Sequence, residues 1–149
     1  MPDLSEPASE VEALYREVVL EHYRNPRHRA PLERPSAEAR VANPICGDQV
    51  HVEVELAGGR IADVSARARG CSIAVAAGSV MTELVRGLAP AESTALGEAV
   101  ARIVRGESVS GEVDARLRAF ARLAALPSRQ RCALLAWEAL AEALARAPG

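Results

Sequence analysis

The sequence predicts an α+β fold in which a three-stranded antiparallel sheet is packed on one face by about five helices. Two observations lead to this prediction. Between residues 37 and 69, apolar and polar residues alternate, as they do in half-buried strands. On both sides of this region, apolar residues recur every three or four positions, as on the buried face of a helix. With 49% of its 149 residues apolar, the chain is expected to form one domain, 1–149, with residues 1–9 flexible.

The first helix is predicted from a capping box and the apolar pattern that follows it. Ser9 and Glu12 have the spacing of such a box, so the helix is expected at residues 10 to 24. Asn25 and Pro26 would end it, because proline disfavours helical backbone in the residue before it. An irregular, arginine-rich loop to residue 35 should follow.

Three strands are predicted from the alternating segments. The first strand and, after a turn at Cys46, the second strand each place every other residue on the apolar face. Gly58 and Gly59 can supply the two positive φ angles of a tight hairpin to the third strand. The opposite face should be exposed to water. The residues expected on the apolar face are Ala37, Ala39, Val41, Val50, Val52, Val54, Leu56, Ala62, Val64, Ala66 and Ala68.

Four further helices are predicted after the third strand. One is rich in small residues and runs from Cys71 to about Gly87, and the next opens at Pro90 and ends near residue 106. A helix over residues 113–126 follows, and the last begins with Ser128 as its N-cap. The buried face of this last helix is expected to contain Cys132, Leu135, Ala136, Ala139, Leu140 and Ala143.

The composition excludes several classes of function. A net charge of −2 and four aromatic residues argue against a nucleic-acid surface, which needs basic or stacking side chains. All 18 basic residues are arginine, so Schiff-base chemistry and a phosphate-loop lysine are excluded. The acidic N-terminus resembles no targeting peptide, and no apolar run is long enough for a membrane span. Three cysteines are a poor disulfide framework, so we expect a cytoplasmic protein.

The three cysteines and one aspartate suggest a metal site. Cys46 and Asp48 flank a glycine whose freedom at positive φ lets both side chains converge, whereas Cys71 and Cys132 stand at predicted helix starts. Three thiolates and a carboxylate would suit tetrahedral zinc. Such a centre would be anionic, which would explain Arg129 and Arg131 in the first turn of the last helix.

A simpler interpretation of each cysteine is also open. Free cysteine is among the most frequently buried residues, and the chain lacks the C-x-x-C pair that is the strong zinc signature. The histidines offer little support for a metal site, because His22 and His28 have no partner at metal-binding spacing and His51 falls on the exposed sheet face.

Three motifs resemble, in the same order, those of the U-type iron–sulfur assembly proteins. They are Asn43-Pro44-Ile45-Cys46-Gly47-Asp48, Gly70-Cys71-Ser72-Ile73 and Arg129-Gln130-Arg131-Cys132-Ala133. The segment Leu14-Tyr15-Arg16 with His22-Tyr23-Arg24-Asn25-Pro26 is similar to the N-terminal helix of that family. The resemblance covers roughly residues 12 to 145 and implies a SufE/NifU-like fold.

Within this family the chain is more similar to the SufU type than to the IscU type. IscU-type scaffolds carry a histidine immediately before the third cysteine, where this chain has Arg131, and they have a shorter gap before that cysteine. The resemblance implies zinc held by Cys46, Asp48, Cys71 and Cys132.

It also implies a sulfurtransferase. Cys46 would be the acceptor of persulfide sulfur from a SufS-type cysteine desulfurase, and the SufBCD assembly machinery would be the destination. Arg129 would pair with Asp48 or steer the incoming partner. Two alternatives remain: a scaffold that carries a transient iron–sulfur cluster on the same four ligands, and a zinc-stabilised interaction domain without sulfur chemistry.

Overall fold

The computed structural model describes residues 6–148 as an α+β fold with three strands and five α-helices. Its 3-10 helix, Ala119–Ala125, lies between the last two helices. Among these residues no helix has the length and apolar character needed to cross a membrane. In chain order the elements are α1 (Glu6–Arg24), β1 (Ala37–Ala42), β2 (Gln49–Ala57), β3 (Arg60–Arg69), α2 (Ser72–Val85), α3 (Pro90–Val104), α4 (Ala115–Arg118) and α5 (Pro127–Arg146).

The three strands form one antiparallel sheet in the order β1-β2-β3. The register places Ala39 opposite Val52, and Val52 opposite Ala66. All three side chains are buried, because α2 and α5 pack against this inner face of the sheet. The predicted arrangement of a sheet covered by helices on one face is therefore confirmed.

Small residues allow α2 to lie close to both of its neighbours. A Cβ placed on Gly78 would lie 3.5 Å from the Cβ of Ala66 on β3 and 3.8 Å from that of Ala136 on α5. Helix α2 consequently packs closely against both β3 and α5, and its first residue follows Cys71 directly. This packing fixes the position of one predicted ligand.

The N-terminal boundary of α1 differs from the prediction. The helix begins at Glu6, so Ser9 lies inside it and is not its N-cap. Residues 6–9, within the segment expected to be flexible, are helical, and residues 1–5 lie outside the described part of the chain. Residues 6–10 include alanine and glutamate, which favour helix, and α1 therefore extends further toward the N-terminus than the apolar pattern.

A β-bulge changes the predicted apolar face of β3. Leu56 pairs with Ile61 but Glu55 pairs with Asp63, so Ala62 has no partner on β2. The extra residue shifts the alternation: Ile61 is buried and Ala62 is exposed, opposite to the prediction for Ala62. From Val64 onward the register again places the predicted residues on the inner face, opposite Val54 and Val52, although the intervening Ser65 is also buried.

Two predictions for the C-terminal helices need correction. A single helix was expected over residues 113–126. Instead, α4 has only four residues, and the chain continues as the tighter 3-10 helix. Helix α5 has Leu126 at its N-cap position and starts with Pro127, whose missing N–H costs nothing there, so Ser128 is not the cap. The predicted buried face of α5 is confirmed.

The outer face of the sheet is only partly exposed. The Leu32 amide donates to Oε1 of Glu53 at 3.3 Å, and Glu53 is buried. Arg67 donates to the backbone carbonyl of Arg29 at 3.2 Å. The loop that follows α1 therefore covers one end of this face, while the end near residue 48 remains open.

Candidate metal centre

The loop between β1 and β2 presents Cys46 to solvent and turns Asp48 inward. The Gly47 amide donates to the Asn43 carbonyl at 2.7 Å, and the Asn43 amide donates to the Asp48 carbonyl at 2.8 Å. Gly47 adopts a φ of +78°, which other residues rarely adopt. Cys46 is exposed, whereas Asp48 is only 4% exposed. The predicted sharp glycine turn is confirmed.

Asp48 is the point at which the other predicted ligands meet. Its Oδ1 accepts a hydrogen bond from the Cys71 amide at 3.1 Å, and its Oδ2 accepts one from the Cys71 thiol at 3.1 Å. Cys71 occupies the N-cap position of α2 in extended conformation, so its amide and thiol both point toward the carboxylate. Two contacts therefore join the β1–β2 loop to the start of α2.

Gly70 is required for this close approach. A Cβ at this position would lie 2.0 Å from Oδ1 and 2.5 Å from Cγ of Asp48. Its φ of +136° is also a conformation that residues with a side chain rarely adopt. The Asp48 carboxylate thus fills the space that any other residue at position 70 would need.

Cys132 reaches the same point from the second turn of α5. One ligand atom each from Cys46, Asp48 and Cys132 lie within 4.8 Å of one another. Cys132 is buried, and its thiol lies beside Asp48 and Cys71. The structure therefore brings together all four residues that the sequence suggested as ligands, from three separate parts of the chain.

The protonation of the site follows from these contacts. Burial alone would raise the pKa of Asp48, but hydrogen bonds from the thiols of Cys71, Cys132 and Cys46 and from the Cys71 amide outweigh it, and the pKa is lowered. Burial raises the pKa of the Cys132 thiol strongly, and the nearby Asp48 carboxylate adds to this effect. The carboxylate is charged, and Cys132 needs a nearby cation to become a thiolate.

The donor set fits a thiophilic divalent cation. Thiolate sulfur and carboxylate oxygen are both accepted by zinc in tetrahedral geometry, and four donors complete the shell. No basic side chain forms a salt bridge with Asp48 in residues 6–148, so its charge is balanced only by hydrogen-bond donors. A cation would supply the missing positive charge.

The two arginines near the start of α5 behave differently from the prediction. Arg131 points along its own helix and lies 3.5 Å from Glu138, so a neighbouring carboxylate rather than a metal centre balances its charge. Arg129 is exposed and, within the described residues, does not pair with Asp48. It lines a groove of about 590 Å³ with Tyr15, Leu20 and Ile73, beside Cys71.

Gly70 and Tyr15 stand in the motifs quoted above, but their contacts beside the candidate site were not predicted from the sequence. Gly70 could have been noticed, because a glycine directly before a ligand often permits a close backbone approach. Tyr15 carried no comparable signal, since its position near the site depends on the packing of α1 against α2. The pKa of its phenol is raised, first by burial and then by the nearby Cys71.

A second group of possible ligands lies on the outer face of the sheet. Ligand atoms of Glu38, His51 and Glu53 lie within 4.8 Å of one another. However, Arg67 contacts His51 Nδ1 at 2.8 Å and donates to Glu53 Oε1 at 3.1 Å. A guanidinium already occupies the position of a cation, and these residues therefore form a polar network.

The remaining histidines do not reach the cysteine site. His22 is buried, and its Nδ1 lies 2.7 Å from the Ser79 hydroxyl, which ties α1 to α2. His28 lies in the loop after α1 at a φ of +51°.

Comparison with known proteins identifies the family. The model of the NifU-like N-terminal domain matches residues 14–148. The chain belongs to the NifU-like N-terminal domain family. Among its NifU-like relatives is the zinc-dependent sulfurtransferase SufU of Bacillus subtilis, which is 29% identical over 140 residues, covering 93% of this chain and 95% of that protein.

Other NifU-like relatives have different descriptions. The iron–sulfur cluster assembly scaffold protein IscU of Streptococcus pyogenes is 32% identical over 139 residues, covering 93% of this chain and 87% of that protein. A candidate scaffold protein of the SUF system from Fervidobacterium islandicum has a similar structure, with a TM-score of 0.81 at 25% identity, covering 89% and 98% of the two chains. The predicted resemblance is therefore confirmed.

Proposed function

We propose that this chain is a zinc-dependent sulfurtransferase that accepts persulfide sulfur from a SufS-type cysteine desulfurase. One observation carries the proposal: three thiols and a buried carboxylate meet at a point where only one thiol, that of Cys46, is exposed. The SufU relative, described as a zinc-dependent sulfurtransferase, supports it.

Cys46, Asp48, Cys71 and Cys132 would hold the zinc. When bound, zinc supplies positive charge that keeps thiols deprotonated near neutral pH without taking part in redox chemistry. The protein contributes the positions of the donors: Cys71 is fixed at the start of α2 and Cys132 within α5, whereas Cys46 lies on a loop. Cys46 can leave the centre with the least change in structure.

The transfer step is a thiol exchange at sulfur. The Cys46 thiolate attacks the terminal sulfur of the desulfurase persulfide, and a new S–S bond forms at Cys46. The S–S bond of the donor breaks, and its cysteine leaves as a thiolate. Electrons and atoms balance, because one persulfide is consumed and one is formed. Exposure of Cys46 gives the donor access to it.

Arg129 is proposed to steer the partner rather than to pair with Asp48. Its exposed guanidinium lies beside the groove next to Cys71 and makes no salt bridge in the described part of the chain. An exposed positive charge attracts an acidic surface over roughly the screening length of 8 Å at physiological ionic strength. Arg131, which pairs with Glu138, is less available.

The destination of the sulfur is proposed to be the SufBCD assembly machinery, in the cytoplasm. A reducing compartment suits three free cysteines, none of which pairs with another in the described structure. The second candidate function is a scaffold that carries a transient iron–sulfur cluster on the same ligands. The similarity to the IscU protein of Streptococcus pyogenes favours this alternative.

Mass spectrometry after turnover with a desulfurase and cysteine tests the proposal. We expect one added sulfur on the peptide that contains Cys46, and none in a Cys46→Ser variant that is still folded. Arg131→Gln is a matched control near the site that should accept sulfur normally. An added sulfur on the Cys132 peptide would contradict the role of Cys46.

Metal analysis distinguishes the two candidate functions. Protein purified without added metal should contain about one zinc per chain, as a four-ligand site requires. Anaerobic incubation with iron, cysteine and desulfurase should leave the zinc in place. A stable coloured cluster that transfers intact to an apo-ferredoxin would instead establish the scaffold function.

A further inference from the structure

The open end of the outer sheet face carries a basic groove that the sulfur-transfer chemistry does not use. The groove has a volume of about 390 Å³. None of the residues that line it is acidic, although the chain as a whole has a net charge of −2. Its side-chain walls come from all three strands and include Arg40, Ala42, Gln49, His51, Arg67 and Arg69.

The strand register explains how the arginines come together. Arg40 lies opposite His51, and His51 lies opposite Arg67, so these residues form one row across the sheet. Arg69 lies opposite Gln49 in the next row, which is the row nearest to Asp48 and Cys71 in the chain. The groove therefore lies on the strands that lead directly into the metal centre.

Two of the three arginines are free to bind a ligand. Arg67 is already engaged by Glu53 at 3.1 Å, and His51 engages Glu38 at 2.9 Å, so the two nearest carboxylates are taken. Arg40 and Arg69 are both exposed and form no salt bridge with any residue in 6–148. Each can offer its planar guanidinium to a carboxylate in bidentate geometry.

The spacing of the two free arginines indicates the size of the ligand. They lie on β1 and β3, the outer strands of the sheet, so their backbones are about 10 Å apart across the strands. They are also offset by one row along the strands, about 7 Å. An occupant with several carboxylates spread along a chain fits this separation better than one small ion.

We infer that this groove is a docking surface for an acidic segment of a partner protein. Charge complementarity is the basis of the inference, because the groove contains three arginines and no acidic residue and therefore attracts carboxylates. Docking here would place the partner next to the Cys46 loop without covering the groove that contains Tyr15 and Arg129. The inference does not depend on which sulfur chemistry the metal centre performs.

Binding of a fluorescent hexaglutamate peptide to the full chain tests this inference. We expect weak binding that diminishes with added salt, since exposed charges are screened. The double variant Arg40→Gln/Arg69→Gln should lower the affinity by about tenfold, because two exposed ion pairs are lost. The double variant Arg102→Gln/Arg118→Gln removes the same charge from α3 and α4 and should leave the affinity unchanged.

Two further measurements make the test specific. In amide NMR spectra, the peptide should shift the signals of β1 and of the neighbouring ends of β2 and β3, not those of α1. Hexaglutamine and a short oligothymidine should bind more weakly than hexaglutamate. Absence of hexaglutamate binding, equal loss in both double variants, shifts confined to other elements, or tighter binding of the oligonucleotide would each overturn the inference.

Discussion

At the scale of single residues, the site depends on a buried carboxylate whose surroundings leave it no freedom. Asp48 accepts hydrogen bonds from the amide and thiol of Cys71, and it lies against the backbone of Gly70. A carboxylate held in this way is charged and oriented before any metal arrives, so little reorganisation is needed on binding. Residues that position Asp48 should therefore matter as much as the ligands.

Substitution of Gly70 should have two effects that can be measured separately: weaker metal binding, and the loss of stability that any side chain causes at positive φ. In Gly70→Ala, the new methyl group would lie 2.0 Å from Oδ1 of Asp48, so the carboxylate must move. We expect a loss of zinc retention of at least tenfold, together with a loss of stability of about 1–3 kcal/mol from the strained backbone. Zinc content and urea denaturation measure the two effects.

Gly111→Ala is the matched control for this substitution. Gly111 also has positive φ, +82°, but a Cβ there meets no atom within 4 Å. This variant should lose about 1–2 kcal/mol of stability, the usual cost of left-handed backbone, and retain zinc normally. Equal zinc retention in the two variants would show that the position of Asp48 does not control metal binding.

At the scale of secondary structure, α2 is the element on which the site rests. It contacts α1, β3 and α5, and it carries Cys71 at its N-terminus. Ten of its 14 residues are buried, so its position follows from close packing rather than from polar contacts. Substitutions that alter this packing should therefore change the free energy of unfolding.

Gly78→Ala should stabilise the protein. The added Cβ would lie 3.5 Å from Ala66 and 3.8 Å from Ala136, which are ordinary contact distances, and alanine favours helix over glycine by about 1 kcal/mol. Urea denaturation should show an increase of this size. In α3, Gly97→Ala should gain less, because its Cβ would crowd the Trp137 ring at 3.3 Å. A larger gain at Gly97 than at Gly78 would contradict this account.

The contact between α1 and α2 should make stability depend on pH. Burial, and then the charge of Arg27, lower the pKa of His22, which lies beside Ser79. In the unfolded chain, His22 has a pKa of about 6.5. Below this pH the unfolded chain binds a proton at His22 more readily than the folded chain does. The contribution of His22 is therefore present above pH 6.5 and is lost as the pH falls toward the lowered folded pKa.

Unfolding free energies of wild type and His22→Gln between pH 7.5 and 5 test this dependence. The wild-type curve should fall more steeply below pH 6.5, with a difference in slope of at most about 1.4 kcal/mol per pH unit. Protonation of the proposed metal ligands affects both proteins equally, so the difference isolates His22. Parallel curves would contradict the prediction.

At the scale of the whole molecule, the candidate metal centre joins three distant parts of the chain. Cys46 and Asp48 belong to the β1–β2 loop, Cys71 precedes α2, and Cys132 lies in α5. A bound ion would hold the sheet and both covering helices together. Metal-binding free energy would then add directly to folding stability.

Chelation should accordingly lower the melting temperature. Zinc at 1,000 times its dissociation constant contributes about 4 kcal/mol, which corresponds to roughly 10 °C for a chain of this size. Differential scanning calorimetry with and without a chelator measures the shift. Cys132→Ser, which removes one proposed ligand, should melt at a lower temperature and respond little to the chelator. An unchanged melting temperature of wild type would contradict a structural contribution of the metal.

The sequence alone was sufficient for the features that depend on local chemistry. Alternation predicted the three strands, two glycines predicted the hairpin, and the Cys46-Gly47-Asp48 turn was identified because only glycine readily adopts its φ. Predictions from local sequence patterns were wrong where the packing of neighbouring elements determines the structure. The bulge at Ala62, the short α4 and the covered end of the outer sheet face all depend on what packs against them.

The tertiary structure alone decided which ligand candidates meet. The sequence could suggest Cys46, Asp48, Cys71 and Cys132, but spacing along the chain carries no information about distance in space once long connections intervene. Packing of α2 and α5 on the inner face of the sheet brings their N-termini to the loop that holds Asp48. In the same way, only strand register gathers Arg40 and Arg69 around one groove, because pairing across strands is a non-local interaction.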